Sequence, residues 1–167
     1  MVVDLHPHTG EESQIRILYH NLLSAWNKRS AADMAHLFSE DANMIGFDGS
    51  HLMGQEEIGK HLATIFFHHP TGSFVNIVRN VRFIAPEVAV LNAVAGMIPP
   101  GKTDILPELT AIQTLVSVKD DDHWRISIFQ NTPAAFHGRP EEIDKLALEL
   151  RREMRESFRS EKSAQGF

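Results

Sequence analysis

The side chains able to do chemistry in this sequence are one well-placed carboxylate, a surplus of histidines and a set of primary amides. Asp48 sits in Asp48-Gly49-Ser50, directly after Ile45-Gly46-Phe47. A carboxylate in such a turn either accepts from its own backbone or, partly desolvated at a cavity mouth, serves as a base. Ten histidines are present, and an imidazole is the side chain best suited to proton transfer near neutral pH. His137, in Phe136-His137-Gly138-Arg139, is the preferred titrating group, so His137 and Asp48 form the candidate catalytic pair. His61 shares a helical stripe with Ile58, Leu62 and Ile65. That spacing fits a satisfied core histidine, or an acid or base if a pocket reaches it. His6 and His8 flank Pro7 in an expected tail, and His68-His69 closes a helix. No His-Glu-x-x-His and no other familiar ligand spacing occurs, so no metal is expected.

The amides are Asn92, Gln113, Gln130 and Asn131. Gln113 lies in Ala111-Ile112-Gln113-Thr114-Leu115, a run otherwise suited to burial, and Asn92 interrupts Val88 to Ala95. Gln130 has the strand parity of Trp124, Ile126 and Ile128, which places it on their side. A buried amide needs partners, because an unmade hydrogen bond costs roughly 1–3 kcal/mol. Such groups either converge on a ligand's carbonyl and hydroxyl oxygens or satisfy neighbouring backbone. Trp26 and Phe47 would wall such a pocket, whereas Phe66 and Phe129 read as plain core. Arg79 and Arg82 have opposite strand parity and share a side only across a bulge.

The elements that must position these groups follow from patterning. Thr9 and Glu12 have the spacing of a capping box, and Ile15, Leu18, Leu22, Ala25, Trp26 and Arg29 continue a helical stripe. A second helix starts at Ser30 and breaks at Glu40-Asp41; Ala42 to Phe47 reads as a short strand, and Gly54 to Phe67 as a third helix. Residues 74–84, 88–98, 109–119 and 124–131 are then β-branched runs separated by turns. The unalternating Val88-Ala89-Val90-Leu91 predicts burial on both faces. Pro140 opens a last amphipathic helix. Helices followed by consecutive strands predict an α+β fold, a curved antiparallel sheet wrapped on N-terminal helices. The divisions are a tail (1–10), a cone-like pocket domain (11–139), an amphipathic helix (140–159) and a frayed tail (160–167).

Across its 167 residues the chain is 43% hydrophobic and 23% charged, with a net charge of −6 and no cysteine. That balance excludes the basic footprint of a nucleic-acid binder and disfavours an anionic membrane surface. It also removes disulfides and thiolate chemistry. No apolar run reaches spanning length, and the first residues lack the pattern of a signal peptide, so a cytoplasmic protein is expected.

The order of elements, with Leu37-Phe38-Ser39-Glu40-Asp41-Ala42 and Gly54 ahead of Glu57-Ile58, resembles the nuclear transport factor 2-like (SnoaL-like) superfamily. The resemblance implies a sheet curled into a cone around a pocket, and a homodimer. Ile45 to Ser50, Ala95 to Gly101, Phe129 to Pro133 and Phe136 to Pro140 look more narrowly like the SgcJ/EcaC family. Its members accompany natural-product pathways under a loose oxidoreductase label. Ketosteroid isomerases of the same fold use a carboxylate base with a tyrosine and a protonated acid. Alignment on Asn27 and Leu37 to Ala42 puts their tyrosine at Leu22, their base at Gly46 and their acid near Gln113. Leucine has no donor and glycine no side chain, which argues against chemistry of that type.

The sequence therefore predicts a pocket for a small, apolar, oxygenated molecule, lined by Gln113, Gln130, Asn131, Asn92, Trp26, Phe47 and His61. An auxiliary pocket protein of secondary metabolism is the leading reading, and if it is an enzyme its chemistry is proton transfer or cyclisation. A non-catalytic binding module and a dimeric protein-interaction domain are the alternatives. No Rossmann or P-loop glycine pattern is present, and no cofactor is expected.

Overall fold

The computed structural model describes residues 9–165. His6, His8 and the side chain of Thr9 lie outside the described residues. Helix α1 spans Thr9–Asn27 and α2 spans Ala31–His36. Strands β1 (Phe38–Ile45) and β2 (His51–Met53) precede α3 (Gln55–His68). Four long strands follow: β3 (Ser73–Ala85), β4 (Val88–Ile98), β5 (Ala111–Asp120) and β6 (His123–Pro133). Helix α4 (Pro140–Ala164) ends the described fold. The six strands form one curved, open sheet in the order β2-β1-β6-β5-β4-β3. All neighbours are antiparallel except β1 and β6, which run parallel. None of the described helices is long and apolar enough to cross a membrane.

The inner face of the sheet packs on α1 and α3. Ile15, Tyr19, Leu22, Ile58, Leu62, Leu91, Leu115 and Ile126 have no exposed surface and form this core. The outer face is covered at one end by α4, whose Leu146, Ala147 and Leu150 pack on Val94 and Ile105. This second layer explains which part of β4 is buried on both sides. Val88 to Leu91 alternates, while Ala93 to Gly96 is continuously buried beneath α4.

Several boundaries depart from the sequence reading for identifiable reasons. Ser30 does cap α2, its hydroxyl accepting from Asp33 N at 3.3 Å. That helix stops at His36, though, and Phe38 already belongs to β1, since Phe38 is needed in the core. Glu12 forms an ion pair with Arg16 one turn on, at 3.0 Å. Arg29 has left the α1 stripe. It adopts φ +59° beyond the helix end, and its Nη2 donates to Phe66 O and His69 O, capping the last turn of α3. The short strand β2 went unread because only Leu52 among its three residues is buried. Helix α4 continues through residues 160–164, past the expected frayed end.

Two bulges matter for the site. In β3 the register with β4 shifts between Val78 and Asn80, which brings Arg79 to the outer side, where Arg82 also lies opposite Val90. Arg79 forms a two-pronged ion pair with Glu149 of α4, at 2.6 and 2.9 Å. In β6, Ser127 is an extra residue between Ile126 and Ile128, which face Ser117 and Val116. Inward parity therefore passes from Trp124 and Ile126 to Phe129 and Asn131.

Candidate functional site

A cavity of about 260 Å³ lies between α1, α3 and the inner face of the sheet, at the end where β1 opens into its turn. Leu23, Met44, Leu62, Phe74, Met97 and Phe129 give it an apolar wall. Trp26 and Phe47 also line it, as do Asp48, Ser50, His61 and Asn131. Trp26 is fixed by an Nε1–H bond to Gly72 O at 3.0 Å and by edge contact with Phe66, whose ring centroid is 5.2 Å away. Gly72 has no room for a side chain against the neighbouring strand, since a Cβ there would lie 2.5 Å from Ile98 O.

Asp48 is exposed at the cavity rim. Its Oδ1 accepts from Ser50 N at 2.9 Å, closing a turn in which Gly49 takes φ +91°. That backbone N–H, helped by the Ser50 side chain, holds the Asp48 carboxyl below the usual carboxylate range. It is thus ionised at neutral pH, and the positive charge available on His61 acts in the same direction. The same oxygen would lie 3.4 Å from a Cβ built on Gly46. The carboxylate therefore stands beside the backbone position that the isomerase alignment leaves empty.

Gln113 has no exposed surface, yet it reaches the cavity only through a neighbour. Its Oε1 accepts from the Tyr19 hydroxyl at 2.5 Å, and its Nε2 donates to Asn131 Oδ1 at 3.1 Å. Asn131 lines the cavity. Burial pushes the Tyr19 hydroxyl pKa above its ordinary value, so the group stays protonated. Sequence reasoning missed Tyr19, although a signal was present. It is the chain's single tyrosine, and it sits among Ile15, Leu18 and Leu22 on the buried stripe. A tyrosine there requires a polar partner.

The other expected residues lie elsewhere. Gln130 is exposed and donates to Thr132 Oγ1 at 3.3 Å, because the Ser127 bulge turns it to the outer face. Asn92 is also on the outer face, donating to Thr114 Oγ1 across β4 and β5. His137 is exposed in the segment before α4 and does not line the cavity. Phe66 backs Trp26 from behind, and Phe129 is both core and cavity wall.

Comparison with known proteins agrees with this architecture. The chain is similar over 93% of its length to a domain of unknown function with a cystatin-like fold from Nostoc punctiforme PCC 73102. The match covers 98% of that chain at 29% identity, with a TM-score of 0.73. A ketosteroid isomerase-like protein from Erwinia carotovora atroseptica SCRI1043 matches at 12% identity and a TM-score of 0.61, covering 75% of this chain and 98% of that one. An NTF2-like protein of unknown function from Pseudomonas putida KT2440 gives 15% identity and a TM-score of 0.62, covering 74% and 87%. At these two identities the likeness is one of fold. Comparison with curated proteins gives no match. A family model described as SnoaL-like domain matches residues 15–131, and the chain belongs to that family.

Proposed function

We propose that this protein binds a small, largely apolar, oxygenated molecule in the cavity between α1, α3 and the sheet. The observation that carries the reading is the composition of that cavity: nearly continuous apolar wall, with a few polar groups at defined positions. Ligand pockets have this character, since apolar surface supplies affinity and a few polar atoms fix orientation. Trp26 and Phe47 enclose the carbon skeleton, and Asn131, backed by Gln113, meets a polar atom. In the finer form of the reading, the protein is an auxiliary member of a secondary-metabolic pathway, of the SgcJ/EcaC kind, and works as a homodimer.

A second reading adds catalysis, by proton transfer or cyclisation. It is favoured by Asp48 and His61 lining the same cavity, a carboxylate and an imidazole within reach of one ligand. His61 here takes the part first given to His137. Native mass spectrometry of the untagged protein, with the retained small molecule identified, tests the first reading; a pocket empty of ligand and indifferent to apolar ketones and hydrocarbons would sink it. If the retained molecule is converted by fresh protein, Asp48→Asn should abolish conversion with little change in Tm. Unimpaired turnover by that variant would leave binding alone.

A further inference from the structure

The Tyr19–Gln113–Asn131 chain has a direction, and its buried end sets it. Tyr19 has no exposed surface, and its hydroxyl must donate its one proton. The acceptor it reaches is Gln113 Oε1. With that oxygen committed, the Gln113 amide turns its nitrogen to Asn131 and donates to Oδ1. Reversing both amides would have Asn131 Nδ2 donate to Gln113 Oε1, and Gln113 Nε2 donate to the tyrosine oxygen. The tyrosine proton would then lose the acceptor it has in the core, so the forward orientation holds. Asn131 is left with an oxygen that already accepts from Gln113 and with an Nδ2 that has no acceptor among the described residues.

We propose that this chain polarises the cavity, so that Asn131 presents a hydrogen-bond donor and selects ligands carrying a neutral carbonyl oxygen. Tyr19 and Gln113 are positioning residues, acting through Asn131. A carbonyl fits because it only accepts. A carboxylate is disfavoured, because Asp48 brings a negative charge to the same cavity. The volume of about 260 Å³ suits a compact bicyclic molecule of about a dozen non-hydrogen atoms at interior packing density. The inference rests on the proposed ligand-binding role and narrows it to a ketone, quinone or comparable carbonyl compound.

The test uses two probes with one carbon skeleton, 1-tetralone and tetralin, titrated calorimetrically into the full chain. The wild type should bind the ketone about five- to tenfold more tightly than the hydrocarbon, the worth of one net hydrogen bond. Tyr19→Phe frees both amides to reverse, and Asn131→Asp removes the donor. Both should bring the ketone-to-hydrocarbon ratio close to one, whatever either does to the affinity for tetralin itself. A merely structural role for Tyr19 would weaken both probes together and leave the ratio intact, which overturns the positioning role. Equal binding of the two probes by the wild type overturns the donor assignment and leaves the ligand-binding reading standing. Failure of both probes to bind at their solubility limits overturns that reading and the inference built on it.

Discussion

Gln113 carries two kinds of consequence at the level of the single side chain, one for stability and one for the site. Its amide accepts a tyrosine proton that lies wholly in the core. Gln113→Leu keeps the volume roughly constant but strands that proton, and should cost about 1–3 kcal/mol in urea unfolding. Adding Tyr19→Phe removes the stranded group, so the double variant should recover part of the loss, a coupling that a double-mutant cycle measures directly. Additive losses would mean that the two side chains do not depend on each other. The pair also marks how much of the site the sequence disclosed. Trp26, Phe47, Asp48, His61 and Asn131 line one cavity; the first four stood out for ring size, turn chemistry or stripe position, and Asn131 only as an amide beside Gln130 in the segment Phe129 to Pro133. Gln130 did not follow its parity, because one extra residue at Ser127 reverses the alternation. Nothing in the residue types around Ser127 marks a bulge before the strands are paired.

Helix α4 shows the same limits and adds a pH dependence. Its apolar stripe of Leu146, Ala147 and Leu150 was plain in the sequence, but not which surface it covers. That depends on the exposed outer side of β3 and β4, a matter of sheet curvature and not of local pattern. Two ion pairs fasten it: Arg79–Glu149, and Arg151–Asp104, the second tying down the loop that leads to Leu109 of the cavity wall. The Arg79 guanidinium holds the Glu149 carboxyl below its usual range, and Arg151 does the same for Asp104. A carboxylate with a lowered folded pKa adds stability that is complete above its unfolded value of about 4 and vanishes as pH falls through the folded value. Acidification through that window should therefore loosen α4 first, seen as faster amide hydrogen exchange in residues 140–164 than in β5. Because the groups are part-exposed and screened, Arg79→Ala should cost only a few tenths to about 1 kcal/mol at neutral pH. A uniform rise in exchange across helix and sheet would refute the local account.

For the molecule as a whole, the sheet leaves one broad surface without a cover among the described residues. Helix α4 shields the outer side of β3 and part of β4, while β5 and β6 turn Ile112 and Ile128 outward, 38% and 40% exposed. Val116 and Val118 continue the same face and are only half-buried. An apolar strip of this kind, flanked by Asn92, Thr114 and Gln130, is a surface that a monomer has reason to cover. A second copy is the simplest occupant, because a two-fold axis over β5 and β6 sets each strip against its own counterpart. The cavity opens on the inner side of the sheet, so pairing through the outer side leaves both pockets accessible. Light scattering behind size exclusion should therefore give twice the chain mass at micromolar concentration. The double variant Ile112→Lys with Ile128→Glu should give the monomer mass and still bind a cavity probe, since neither residue lines the pocket. A wild type that elutes at the mass of one chain would remove the case for pairing through this face. A double variant that stays dimeric would move the interface elsewhere on the molecule, and α4 with its exposed Phe158 would be the next surface to substitute.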